Sequence, residues 1–249
     1  MKIKGVLLCG GEGTRLRPMT EVINKHLIRV YDRPMAEYPL LKMIEAGVDE
    51  VLIVSGGENF AAVVKYFGSG KKWNINITHA IQDQAGGIAE ALGLAKSFVG
   101  QNFVMVCLGD NIWTMDLRSE VVSHDWPECT LFSCESNTPE RFGVLKFNDQ
   151  GRAIDVIEKP KEFISNQILA GIYVFGPSVF EVIAVLKPSE RGELEISDVN
   201  KYYIRSGKAR IVQMDGWWSD CGTIETLLQT EEKIKNDRSI QALCPEGGH

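Results

Sequence analysis

The sequence predicts an α/β fold: a doubly wound, mixed but mainly parallel sheet with a smaller β-rich extension. Three observations predict it. Apolar strand runs alternate with helical patterns through the first half. A glycine-rich loop follows the first of those runs at once. The second half turns to closely spaced strand candidates joined by a turn. At 249 residues the chain can bury a large core as one domain.

Ile3 to Leu8 reads as a buried first strand. Val51–Val54, Asn76–Ile81 and Phe103–Leu108 are the next candidates, with helical patterns at about 36–46, 59–67 and 87–98 between them. Ligands of such sheets bind beyond the carboxyl ends of the strands. The loop at Gly10–Gly13 and the pair Gly109-Asp110 both follow strands, so both are expected at one crevice. Thr130–Glu135, Gly143–Phe147, Ala153–Glu158 and Leu169–Phe175 form the second set of strands, with Asn148-Asp149-Gln150-Gly151 as a turn. A helix follows Arg191–Glu195 and runs to about Ile204. Thr223 to about Lys235 reads as an amphipathic helix. Leu227, Leu228, Thr230 and Ile234 are expected inward, with Glu231, Glu232, Lys233 and Lys235 wet.

Composition narrows the classes. Hydrophobic residues are 44% and charged residues 24%, the balance of a globular protein. A net charge of −6 argues against a nucleic-acid partner, though a local basic pocket for one nucleotide is allowed. The six cysteines contain no Cys-x-x-Cys, so buried free thiols are expected. The four histidines show no metal-ligand spacing. No signal-peptide core opens the chain, and no apolar run approaches the ~20 residues of a membrane span, so a cytoplasmic protein is expected.

The chemistry concentrates in Leu7-Leu8-Cys9-Gly10-Gly11-Glu12-Gly13-Thr14-Arg15-Leu16-Arg17-Pro18. Exposed amides in a glycine loop cradle phosphate oxygens, and a guanidinium neutralises their charge through forked hydrogen bonds. The loop is neither a P-loop, which needs Gly-Lys-Ser/Thr, nor a dinucleotide fingerprint, whose third Gly is replaced by Leu16. Lys25 lies in a polar stretch from which a lysine can reach an α-phosphate; alone it also reads as a solvated surface lysine. Gln82 offers the donor and acceptor needed to read a pyrimidine edge, or is an ordinary loop glutamine. Asp110 follows a buried strand, as a hard-cation ligand or a turn residue.

Together the glycine loop, Asn24-Lys25-His26-Leu27, Tyr31-Asp32-Arg33-Pro34-Met35, Gly109-Asp110-Asn111, Glu158-Lys159-Pro160 and Arg191–Asp198 resemble the sugar-1-phosphate nucleotidyltransferases, in the glucose-1-phosphate thymidylyltransferase branch. The resemblance runs from about residue 3 to about residue 235 and departs at Arg29, where many relatives carry Pro. It implies a Rossmann-like fold in a single domain, with a nucleotide-binding half to about residue 125, a sugar-binding half over about 126–235, and a short tail over 236–249. It implies nucleotidyl transfer from an NTP, foremost dTTP, to a sugar 1-phosphate, foremost glucose 1-phosphate. UTP, CTP or another hexose 1-phosphate are alternatives, as is a non-catalytic nucleotide-sugar-binding regulatory protein. By the same resemblance Arg15, Lys25 and Asp110 are catalytic. Leu8, Gly10, Gly11, Gly13, Thr14, Arg15, Lys25, Gln82 and Gly87 bind the nucleotide. Asn111, Gly143, Glu158, Lys159, Gly171 and Arg191 bind the sugar phosphate. Asp110 and Asp220 hold Mg²⁺. Trp217 and Trp218 are expected to pack near that metal. The sequence resembles the short branch of the family, without the C-terminal helices that build a tetramer and an allosteric site in longer relatives. Self-association into a homo-oligomer is left open, and neither nucleic acid nor membrane is expected as a partner.

Overall fold

The computed structural model describes residues 2–57, 60–121 and 127–243; Cys244 and the rest of the tail lie outside them. Its strands in chain order are β1 (Ile3–Cys9), β2 (Arg29–Val30), β3 (Arg33–Pro34), β4 (Glu50–Gly56), β5 (Asn76–Gln82), β6 (Phe103–Leu108), β7 (Ile112–Trp113), β8 (Cys129–Glu135), β9 (Gly143–Phe147), β10 (Ala153–Glu158), β11 (Gln167–Phe175), β12 (Ala209–Gln213) and β13 (Trp218–Ser219). The helices are α1 (Glu37–Glu45), α2 (Phe60–Phe67), α3 (Ile88–Gly93), α4 (Lys96–Val99), α5 (Arg118–Val121), α6 (Val179–Ala184), α7 (Ile196–Arg205), α8 (Ile224–Asn236) and α9 (Arg238–Gln241). No described helix is long and apolar enough to cross a membrane.

The chain folds as two compact units, each discontinuous in sequence. The glycine-loop unit contains Ile3–Ala85, Cys107–Ser123 and Asp215–His249; the hairpin unit contains Met1–Lys2, Gly86–Val106 and His124–Met214. The halves expected to meet near residue 125 therefore differ from the units found. Gly86–Val106 folds with the later strands, and the segment from Asp215 returns to the glycine loop.

In the glycine-loop unit β4 lies between β1 and β5, parallel to both. Val51, Leu52, Ile53 and Val54 are all buried, the continuous apolar run of a strand covered on two faces. The register Cys9↔Ser55 and Gly56↔Gln82 brings the carboxyl ends of β1 and β5 level. A second core, built on Leu16, Ile28, Val30, Met35, Tyr38, Ile112, Cys221, Leu227 and Ile234, ties the glycine loop to α8. α8 starts on a reciprocal cap: Thr226 N donates to Thr223 Oγ1, and Thr223 N donates to Thr226 Oγ1, both at 3.1 Å. Leu227, Thr230 and Ile234 face inward as expected, but Leu228 is 58% exposed. It lies just off the stripe that those three residues mark at helical spacing.

In the hairpin unit β9 pairs antiparallel with β10 and β11, β11 pairs antiparallel with β8, and β12 runs parallel to β8. The expected turn is present: Gly151 N donates to Asn148 O, and Asn148 Oδ1 accepts from the amides of Gln150 and Arg152. The single helix expected over 87–98 is two, α3 and α4, with the break following Gly93. The sheet is thus mixed, parallel in one unit and largely antiparallel in the other. The cysteines at 9, 107, 129, 134 and 221 are buried free thiols, as their spacing predicts.

Candidate active site

The glycine loop is built from β1 outward. Gly13 has φ 64°, and a Cβ there would meet the Thr20 methyl at 2.8 Å and the Lys25 stem at 3.1 Å. Only glycine suits both the left-handed backbone and that approach. Leu16 N donates back to Gly13 O, while the buried Leu16 side chain pins the turn to the second core. Arg15 follows with an exposed side chain. A Cβ on Gly222 would lie 3.0 Å from an Arg15 guanidinium nitrogen and 2.8 Å from Asp220 Oδ2, so these two charged groups flank one spot. Gln82 joins the loop from β5, its Oε1 3.2 Å from where a Gly10 Cβ would stand.

Asp110 reaches the same place through backbone contacts. Gly109 N donates to Leu8 O at 2.8 Å, which sets Asp110 beside the start of the loop. Asn111 follows and is buried. Lys25 Nζ is ion-paired with Asp110 Oδ2, and both side chains are mostly covered. Lys25 is therefore not the solvated lysine that its isolated sequence context allows. Burial pushes the Asp110 carboxyl up, but the Lys25 charge, His26 and the Lys25 hydrogen bond outweigh it, and the group is held below its ordinary value. Buried His26 is pushed down to about 3 by burial first and the Lys25 charge second, so it stands neutral near pH 7.

The approach of Asp220 has a local cause. β13 pairs antiparallel with β7 in the register Ser219↔Ile112. Asp220 continues β13 toward the side from which Asn111 and Asp110 enter β7. The Cys221 thiol, pushed up to about 12 chiefly by burial, also feels both carboxylates and Lys25. Trp217 packs onto the second core with its indole N–H on Asp237 at 2.9 Å, and Trp218 sits opposite Trp113. Among the described residues no three His, Cys, Asp or Glu side chains gather as a metal site. Two carboxylates nevertheless suit Mg²⁺, which commonly takes one or two of them together with substrate phosphates. The donor set therefore fits.

A second cluster lies in the hairpin unit. Gly143 and Glu158 are opposite one another in the β9–β10 register. A Cβ on Gly143 would stand 3.2 Å from Ser197 Oγ and 3.4 Å from Glu158 Oε2. Ser197, in the first turn of α7, donates to Glu158 Oε2. Lys159 Nζ lies 3.6 Å from Glu158 Oε1. The Lys159 backbone is left-handed, φ 43°, and its N–H is held by Phe142 O. A non-glycine residue held in that region is a strained position of the kind that clusters at functional sites. Arg191 is ion-paired within its own segment. Its guanidinium grips both oxygens of Glu195 at 2.8 and 2.9 Å, with Glu193 at 3.3 Å and Glu158 Oε1 only at 4.0 Å. Gly171 sits in β11 where the register with β8 shifts.

Gly87 belongs to the hairpin unit, and the other nucleotide-binding candidates belong to the glycine-loop unit. Its φ of 99° and ψ of 171° are accessible essentially only to glycine. A Cβ would stand 2.4 Å from Leu194 O, within a clasp in which Leu194 N donates to Gly86 O and Ala89 N donates to Leu194 O. Gly87→Ala should destabilise the protein by about 3 kcal/mol and lower Tm by about 6–12 °C. Thermal unfolding followed by circular dichroism checks this, and an unchanged Tm would show that the clasp tolerates a side chain.

Sequence reasoning singled out neither Ser197 nor Glu195 nor His26, although all three fall inside its motifs. The only signal was position: His26 adjoins Lys25, and Glu195 and Ser197 follow Arg191 by four and six residues.

Comparison with known proteins identifies the family. The Nucleotidyl transferase family model matches residues 4–237. A glucose-1-phosphate thymidylyltransferase of Neisseria meningitidis is 35% identical over 97% of this chain and 85% of its own length. One from Xanthomonas campestris is 37% identical over 98% of this chain and 85% of its own. A solved structure from Bacillus anthracis, assigned as a glucose-1-phosphate thymidylyltransferase and crystallised with sucrose, superposes with a TM-score of 0.89 at 38% identity. It covers 96% of this chain and 99% of that one. With a family model that spans nearly the whole chain and relatives more than one third identical over almost all of it, the chain belongs to the nucleotidyl transferase family.

Proposed function

We propose that the protein transfers a nucleotidyl group from dTTP to glucose 1-phosphate with Mg²⁺, releasing pyrophosphate. The observation that carries this reading is the convergence of the glycine loop, Lys25, Asp110, Asp220 and Arg15 within one unit. The loop amides and Arg15 hold the β- and γ-phosphates. Lys25 meets the α-phosphate, Gln82 reads the pyrimidine edge, and Leu8, Gly10, Gly11 and Thr14 line the nucleotide's path. Asp110 and Asp220 would hold Mg²⁺, which when bound supplies positive charge shared between the nucleotide and the incoming phosphate. In the hairpin unit Gly143, Glu158, Lys159 and Gly171 take the sugar phosphate. Arg191, 4.0 Å from Glu158 Oε1, borders the same sugar site. The names of the relatives support the thymidylyltransferase assignment.

No protein nucleophile is needed. A sugar-phosphate oxygen, already ionised near neutral pH, attacks the α-phosphorus. The bond from that phosphorus to the bridging oxygen breaks, and its electron pair leaves with pyrophosphate. Catalysis is positioning plus charge stabilisation. The buried free thiols support a reducing, cytoplasmic setting.

Pyrophosphate release, crossing dTTP, UTP, CTP, GTP and ATP with a panel of sugar 1-phosphates, tests the reading. The highest kcat/KM is expected for dTTP with glucose 1-phosphate. Turnover confined to purine nucleotides would remove the role of Gln82. Nucleotide binding without turnover across the whole grid would favour a regulatory protein. In the same assay Lys159→Ala should raise KM for the sugar phosphate about 10- to 100-fold, the loss of one charge-assisted contact, with the NTP KM within about twofold. An unchanged sugar KM would remove Lys159 from that role.

A further inference from the structure

We propose that Ser197 is a positioning residue that fixes the direction in which Glu158 meets the hexose, and so contributes to the choice among sugar epimers. The inference rests on the reading of Glu158 as a sugar ligand. The two oxygens of Glu158 have different company. Oε2 accepts the Ser197 hydroxyl, while Oε1 lies between Lys159 Nζ at 3.6 Å and Arg191 Nη2 at 4.0 Å. A lone carboxylate at a strand end rotates freely about its terminal torsion. One clamped at a single oxygen presents its remaining lone pairs in one plane.

The clamp is itself rigid. Ser197 is buried in the first turn of α7, directly after Glu195 and Ile196, both also buried. Glu195 accepts the Ser189 hydroxyl at 2.8 Å and holds Arg191 through both oxygens. The segment that carries Ser197 is therefore tied at several points. Gly143 completes the arrangement, since a side chain there would press on the Ser197 hydroxyl and the Glu158 carboxylate together. Hexose epimers differ in the direction of one hydroxyl. A carboxylate of fixed orientation accepts from one direction better than from the other, whereas a rotating one discriminates less.

The test compares Ser197→Ala, Ser197→Thr and Glu158→Gln in steady-state kinetics with glucose 1-phosphate and galactose 1-phosphate. Ser197→Ala should raise the glucose 1-phosphate KM about tenfold, the scale of one charge-assisted hydrogen bond. It should also narrow the preference between the two epimers, with the NTP KM and Tm unchanged. Ser197→Thr keeps the hydroxyl and should restore both values. A structural role alone would lower Tm and affect both substrates alike. If Ser197→Ala does not fold, Ser197→Cys keeps the volume, weakens the donor and carries the same expectation. Glu158→Gln raising the sugar KM while the Ser197 variants leave it unchanged would overturn this inference and leave the reading of the site standing. Glu158→Gln leaving the sugar KM unchanged would overturn both.

Discussion

Asp110→Asn should leave a folded protein whose turnover is lower by about a thousandfold or more, the scale of losing a principal electrostatic element of a transition state. The substitution keeps volume and shape and removes one charge. That charge has two uses. It is one of two carboxylate donors suited to Mg²⁺, and it is the ion-pair partner of Lys25. In the neutral amide the first use is lost, because an amide oxygen is a poor substitute where positive charge must be held against a triphosphate. The second is partly kept, because Asn can still accept from Lys25. Removing one member of a buried ion pair costs about 3–5 kcal/mol when the other is stranded. Here the retained acceptor and partial exposure should limit the loss to about 1–2 kcal/mol. Nucleotide binding without Mg²⁺ should be as tight or tighter, since a negative charge near the phosphates has gone. Kinetics, thermal unfolding and nucleotide titration on one sample separate these effects. Turnover within tenfold of the parent protein would remove Asp110 from the chemistry.

Much of this site was legible in the sequence, because its main parts are local. Leu8 through Arg15 is one continuous stretch, and glycine spacing after an apolar run fixes both its backbone and its exposure. The same holds for Gly109-Asp110 and Glu158-Lys159, each placed at a strand end by the run before it. What the sequence could not show was held by tertiary pairing. The two-residue strands β7 and β13 have no periodicity to read, yet their register is what carries Asp220 toward Asp110. Ser197 looks like any first-turn serine until Glu158 is placed across from Gly143. Arg191 reads in the sequence as a ligand for substrate; what the sequence does not show is that the buried carboxylate of Glu195, four residues on, grips its guanidinium. Leu228 shows the limit of pattern alone, since a residue adjacent to a buried stripe is apolar without being inside.

Lys25→Ala should lower kcat about 100- to 1000-fold, the scale of removing one preorganised group from a phosphoryl transition state, and should also give the remaining activity a new pH dependence. The first effect follows from the loss of the ammonium proposed to meet the α-phosphate. The second follows from what Lys25 does to Asp110. In the parent protein burial raises the Asp110 pKa, and the Lys25 charge, His26, the Lys25 hydrogen bond and a backbone hydrogen bond together outweigh that, so the carboxyl is held below its ordinary value. With Lys25 gone the burial effect is left without its largest opponent, and the pKa rises. The ionised form is the one that can hold a metal. Activity of the variant should therefore fall as pH drops through the raised pKa, over a range where the parent enzyme is flat. High Mg²⁺ should partly restore it, because a divalent ion favours the ionised carboxylate as the lysine did. Lys25→Arg keeps the charge and should keep the flat profile even where its longer fork lowers kcat. Lys25→Ala with a flat profile would mean that Lys25 serves the nucleotide alone. A pH-dependent profile rescued by Mg²⁺ would mean that one lysine both meets the substrate and keeps the metal's carboxylate charged.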